Sequence, residues 1–210
     1  MQGACLGCGK SLLRAFAATE KRSPQGDREG GPHGRDIKRI VLDTETTGVD
    51  ARKDEILTLS IVDGDANVLW DGLYRPRYAR EWPYAERING ISPSDVADCP
   101  LITEHVEEIK RIVRSAEEVV IYNATFDRKF LAAIGADAAP GQKVTDTMLE
   151  FSSFYREPDS RHPGQYRWQK LSVAAEHIGY DWGEGHAHSS VDDCLATLAV
   201  QKWLDARKPW

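Results

Sequence analysis

Three stretches of this 210-residue chain gather the side chains that acid–base and metal chemistry use. In LDTETTG (42–48), Asp43 and Glu45 stand two residues apart. Side chains at that spacing on an extended strand face the same way, so both carboxylates point together at the strand's C-terminal end. That end is where open α/β sheets place their ligands. Two carboxylates on one face repel unless a cation lies between them, and oxygen donors suit hard Mg²⁺ or Mn²⁺. In VVIYNATFDRKFL (119–131), Asp127 lies about one turn inside a helix that follows a buried strand. Read alone, it is equally an acidic first turn favoured by the helix dipole. In HAHSSVDDC (186–194), His186, His188, Asp192 and Asp193 offer more groups than one site needs. Metal ligands, an acid–base pair and a polar helix start all remain open there.

The elements that must carry these residues alternate between strand and helix. RIVLD (39–43) is a short continuous apolar run, the pattern of a central strand buried on both faces. Residues 55–74 read as an antiparallel hairpin, with Leu57, Leu59 and Ile61 at period two and a turn before NVLW. Ser92-Pro93-Ser94-Asp95 has the form of a capped helix start. Ile102, Val106, Ile109, Ile112 and Val113 mark one face of an amphipathic helix. A buried strand at 117–123, a helix from Ala124 to Ile134, a short strand near Val144 and a helix after Asp146 follow. A polar-aromatic loop at 155–167 and helices near 170–178 and 190–206 complete the pattern. The expectation is an α/β domain with a mixed sheet, a hairpin first and then parallel strands reached through helical crossovers.

Composition bounds the class. With 41% hydrophobic and 29% charged residues the chain is long enough for one sizeable core. It lacks the apolar runs of a membrane span or signal peptide, so a cytoplasmic location and no membrane partner are expected. The net charge of −6 is unevenly placed: residues 1–39 hold eight Lys and Arg against four acids, a net of +4 that leaves −10 for the rest. RSPQGDREGGPHGRD (22–36) reads as linker or disorder, which divides the chain into a basic N-terminal segment, 1–37, and a folded domain, 38–210. Cys5 and Cys8 have the spacing of half a zinc knuckle, with His33 as a conceivable third ligand, but no second CxxC exists.

The joint occurrence, in order, of strand–DxE, strand–NAxFD–helix and loop–HxxxxD–helix resembles the DEDDh group of 3′→5′ exonucleases, the DnaQ-like family with a ribonuclease-H-like fold. The resemblance runs from about Lys38 to Leu204 and extends to DEIL (54–57), NGIS (89–92), TDT (145–147) and KLSVAA (170–175). It implies a mixed five-stranded sheet flanked by helices, and metal-binding carboxylates at Asp43, Glu45, Asp127 and Asp193. His188 falls on the general base. The spacing His, four residues, Asp pairs His188 with Asp193 and leaves His186 and Asp192 as neighbours. The resemblance further implies two divalent cations, Mg²⁺ or Mn²⁺, and hydrolysis of phosphodiesters from a free 3′ end to nucleoside 5′-monophosphates. Thr44, Thr46, Asn123 and Phe126 would lie close to the terminal nucleotide. Asn89 departs from the family, many of whose members carry His in a HGI segment; that loop is expected to lie outside the metal constellation, and Asn-Gly also reads as a helix end.

The implied partner is nucleic acid with a free 3′ end, single-stranded, with DNA favoured, and a polymerase or repair complex is a further candidate. Alternatives within and outside the class are an exoribonuclease or oligoribonuclease of the same fold, and a noncatalytic nucleic-acid-binding or polymerase-associated module. The segment FYREPDSRHPGQYRWQK (154–170) interleaves four aromatics with four cations, as a single-strand contact or as a loop whose rings pack onto the domain.

Overall fold

The computed structural model of the protein describes residues 37–183 and 189–208. The readings at Cys5, Cys8, His33, His186 and His188 lie outside the described residues. β1 (Ile37–Thr46), β2 (Ile56–Asp63) and β3 (Val68–Leu73) form an antiparallel meander. On the other side of β1, β4 (Ala116–Ile121) and β5 (Lys143–Asp146) add in parallel, giving one mixed sheet of order β3-β2-β1-β4-β5. Helices α1 (Pro83–Asn89) and α2 (Val106–Ser115) lie between β3 and β4 in the chain, and α3 (Ala124–Ala133) joins β4 to β5. Helices α4 (Thr147–Tyr155), α5 (Leu171–Ile178) and α6 (Ser190–Asp205) follow.

β1 is the central strand because its apolar run is covered on both sides: Ile40, Val41 and Leu42 are all buried. Ile40 and Leu42 join a core with Ile109 and Val113 of α2 and Phe130 and Leu131 of α3. Val41 packs instead with Val62, Val120, and Cys194 and Leu198 of α6. Strand alternation carries this division to the end of β1. Asp43 and Glu45 fall on the α6 side, while Thr44 falls on the α3 side. A register shift between Glu45 and Thr46 ends the regular ladder at that point, a device that re-aims side chains at a strand terminus.

Helix α6 is fastened at both ends. At its start, Ser190 and Ser60 hydroxyls lie 2.6 Å apart, and Ser60 donates to Asp71 of β3 at 2.8 Å. A hydroxyl has one proton, so Ser190 is the donor to Ser60. The Cys194 thiol adds a contact to the Ser60 carbonyl at 3.5 Å. At its end, Asp205 pairs with Arg39 at 2.8 Å. Arg39 also reaches Glu118 at 2.7 Å, and Glu118 takes Lys143 at 2.8 Å and the Thr145 hydroxyl at 2.5 Å.

Two expectations are corrected. Residues 92–95 form a turn rather than a helix start: Asp95 accepts from the Ser92 amide and hydroxyl at 2.7 and 2.6 Å. Pro100 stands too close behind for a helix to propagate. The amphipathic face drawn from Ile102 also divides, with a 3₁₀ turn at Ile102–Glu104 and the α-helix starting at Val106. Helix α1 is an addition, held down by Trp82 and Ala85 against Leu57 and Val96. The indole of Trp82 donates to the Ile91 carbonyl at 2.6 Å and closes the segment into a loop. No helix among the described residues is long and apolar enough to cross a membrane.

Glu118 is buried and offsets two cations. Replacing it with Ala strands Lys143 and half of the Arg39 pairing. Full burial would make such a loss cost about 3–5 kcal/mol; solvent reaches Arg39 and Lys143, so a loss of about 2 kcal/mol is expected from urea denaturation.

Candidate active site

The tip of β1 gathers the carboxylates. Oxygens of Asp43, Glu45 and Asp193 lie within 4.8 Å of one another. Asp43 and Glu45 arrive there from the strand, and Asp193 from the first turn of α6, where the helix dipole favours negative charge. The donors are all carboxylate oxygens, the set a hard divalent cation takes.

Asp127 stands beside this trio rather than in it. It is buried, at 2% exposure, in the first turn of α3. One of its oxygens accepts from both the Thr44 amide, at 3.0 Å, and the Thr44 hydroxyl, at 2.7 Å. The carboxylate thus reaches the β1 tip from the opposite face of the sheet. Its entry depends on Asn123, which starts α3 with φ of 66°. Asn tolerates that left-handed conformation better than most side chains. Asp146 braces the same turn, accepting from the Ala124 amide at 2.9 Å and from the Leu149 amide at 3.2 Å.

Like charge in a partly dry place raises proton affinity. Burial foremost, then the charges of Asp127, Asp193 and Glu45, holds the Asp43 carboxyl well above the usual carboxylate range. Burial and Asp193 push Glu45 up to about 8, against a hydrogen bond from Asn89 that draws it down. Asp127 rises to about 7 through burial, with the Thr44 hydrogen bonds opposing.

Asn89 is nearer than the sequence led us to expect. Its amide donates to the Thr46 carbonyl at 3.3 Å, and its own oxygen accepts from the Ile91 amide at 3.1 Å. It is at once the last residue of α1, with Gly90 in the left-handed cap at φ 72°, and a contact of the β1 tip. Nothing in the local pattern signals a partner 43 positions away. The Ser60–Ser190 link is likewise a tertiary pairing that spacing does not reveal.

Among the residues read as substrate contacts, Thr44 and Thr46 are buried, and the Thr46 hydroxyl donates to the Gly48 carbonyl at 2.6 Å. Asn123 and Phe126 are half-buried beside Asp127, with the Phe126 ring against Phe130. His188 lies outside the described residues; Ser189 and Ser190 carry the chain from it into α6. The segment 154–170 divides: Phe154 packs with His177 and Trp203, whereas Trp168 is exposed. Arg161 and Arg167 there are paired with Asp159 and Glu157. A cleft of about 250 Å³ lies elsewhere, between the 51–56 and 75–78 segments and the end of α3, and none of the four carboxylates lines it.

Comparison with known proteins bears on the family and the fold. A 99-residue stretch is 33% identical to the DNA polymerase III subunit epsilon of Rickettsia felis, covering 45% of this chain and 43% of that protein. Exodeoxyribonuclease 10 of Escherichia coli K12 is 28% identical over 160 residues, 76% of this chain and 65% of its own. The chain therefore spans less than half the length of the epsilon relatives it matches. Among solved structures, Exonuclease X in complex with 5′ overhanging duplex DNA superposes with a TM-score of 0.60 at 24% identity, covering 82% of this chain and 93% of that one. Exonuclease I of E. coli with a dA16 oligonucleotide gives 0.62 at 18% identity, covering 81% and 41%. These likenesses establish the mixed-sheet exonuclease fold. The exonuclease family model RNase_T matches residues 40–201, nearly the whole described domain, and the chain belongs to that family.

Proposed function

We propose that this chain is a divalent-cation-dependent 3′→5′ exonuclease that releases nucleoside 5′-monophosphates from the 3′ end of nucleic acid, with DNA the favoured substrate. The observation that carries the reading is the convergence of Asp43, Glu45 and Asp193 at the β1 tip with Asp127 fixed alongside. Asp43, Glu45, Asp127 and Asp193 would hold two cations, Mg²⁺ or Mn²⁺. Such cations, when bound, activate water and neutralise charge on the phosphate.

The chain's own groups do the remainder. Thr44 fixes Asp127 through two donors, so the fourth carboxylate is set before substrate arrives. Asn89 steadies the Thr46 carbonyl, next in the chain to Glu45. Asn123 and Phe126 form a wall for the terminal nucleotide, with the backbone of Thr44 and Thr46 as its floor. His188 takes the proton of the attacking water, the general-base role to which imidazole is suited. The epsilon relatives support a polymerase or repair complex as the working context, and a cytoplasmic location goes with it.

Incubating the protein and Mg²⁺ or Mn²⁺ with 5′-labelled single-stranded DNA, duplex DNA and RNA tests the reading. Ladders shortening from the 3′ end are expected, fastest on single-stranded DNA; endonucleolytic fragments or no cleavage on any of the three would sink it. Asp43→Asn and Asp193→Asn are each expected to abolish the ladder. His188→Ala should keep cation binding and lower turnover by about 10²–10⁴-fold.

Stability should report the same charges. Without cations, Asp43, Glu45 and Asp127 bind protons more tightly folded than unfolded. Their contribution to stability is therefore complete below pH of about 4 and is lost as pH rises toward 7–8. In chelator, the melting temperature is expected to fall across that window. Mg²⁺ should restore it at pH 8 and do little at pH 5, and an equal Mg²⁺ effect at both pH values contradicts the assignment.

A further inference from the structure

The proposed site accounts for the terminal nucleotide but leaves open where the rest of the strand runs. Two cation-rich segments stand out. In the chain, the 154–170 segment runs from the end of α4 to the start of α5, and residues 75–89 come after β3 and include α1. They differ in how their charge is spent. In the first, Arg161 and Arg167 are engaged with carboxylates, while Arg156 and Lys170 are exposed and enter no ion pair among the described residues. Among the described residues, Arg77, Arg80 and Arg87 of the second enter no ion pair and are exposed, on a domain whose residues beyond 39 carry a net −10.

The second segment is also built to hold its shape. The Glu55 carboxylate accepts three successive backbone amides, from Arg77, Tyr78 and Ala79, at 2.7, 2.9 and 3.0 Å. Trp82 and Ala85 anchor the underside of α1. The outer side is left with Tyr78 at 75% exposure, Tyr84 at 67%, Ile88 half-exposed, and the Arg87 guanidinium 5.7 Å from the Tyr84 ring centre. Ile88 is followed directly by Asn89, whose side chain touches the β1 tip. Exposed rings beside unneutralised guanidinium groups on a rigid base, running up to the carboxylates, match a nucleic-acid strand: bases stack on the rings and phosphates meet the cations.

We infer that the outer face of α1 together with the 77–80 turn is the track for the single strand 5′ to the terminal nucleotide. Tyr78 and Tyr84 serve as stacking platforms, and Arg77, Arg80 and Arg87 as phosphate contacts. This rests on the exonuclease reading for its direction of travel, but strand binding is measurable without cleavage.

The test is fluorescence anisotropy of labelled dT4, dT12 and rU12 in chelator, with the full chain and two sets of variants. For the wild type, affinity is expected to rise from dT4 to dT12; rU12 against dT12 reports whether the track separates RNA from DNA. Tyr84→Ala with Arg87→Ala, and Arg77→Ala with Arg80→Ala, should each weaken dT12 by about tenfold or more and flatten the length dependence. The arginine pair should also reduce the salt slope by about 0.7 per lost phosphate contact. Retention of the Mg²⁺-induced thermal shift in these variants shows an intact fold and cluster. Unchanged dT12 affinity and salt slope overturn the proposal, as does loss of binding only in an Arg156, Arg161, Arg167→Ala variant. Strand binding by a wild type that cleaves nothing would defeat the exonuclease reading and leave the track standing. Cleavage with unaltered binding in the α1 variants would defeat the track alone.

Discussion

Mutual repulsion among carboxylates at the end of one strand is the constraint that orders this molecule. Asp43, Glu45 and Asp193 share a space of a few ångströms, and Asp127 stands beside them. A chain left to itself would splay such groups into water. Here each is carried by an element whose position is set by apolar packing elsewhere: β1 by two cores, α3 by Phe130 and Leu131, α6 by Cys194 and Leu198. The hydrophobic layers thus hold the carboxylates close together against their mutual repulsion. The upward shift of their proton affinity is the measure of that confinement.

The alternation of β1 explains how four groups from three elements meet. Odd-numbered positions face α6 and deliver two carboxylates to the trio. Thr44, pointing to the other side, fetches Asp127 through its amide and hydroxyl. The strand both carries two of the carboxylates and is the partition between the two helical layers. The register shift beyond Glu45 ends pairing with β2 where the tip must open. Asn89 then ties the loop after the hairpin to this opening, so the tip is braced from the β3 side as well.

Much of this was legible because it is local. A continuous apolar run announced β1, period-two alternation announced the hairpin, and the two-residue spacing of Asp43 and Glu45 fixed their shared face. The order of motifs joined Asp127 and Asp193 to them, which periodicity alone did not. What escaped was set by tertiary contact or by competition between local signals. Seven-residue α1 has too few turns to show a hydrophobic stripe, and it is secured by Trp82 and Ala85 against a distant strand. Ser92 to Asp95 carried genuine capping chemistry, but Pro100 left no room for a helix, and the same hydrogen bonds closed a turn. Asn89 reads as a helix end in sequence, and its second role depends on Thr46 lying beside it in space.

The salt bridges at the foot of the sheet carry a further meaning when set against its tip. Glu118, Arg39, Lys143 and Asp205 compensate one another within the chain. At the other end of β1, Asp43, Glu45 and Asp193 bring like charges within a few ångströms of one another. Among the described residues, ion pairs therefore gather at one end of β1 and like charges at the other. Added monovalent salt weakens attraction at the foot and relieves repulsion at the tip. The ionic environment thus pulls on the two ends of α6 in opposite senses, and the helix that brings Asp193 to the cluster is the lever between them.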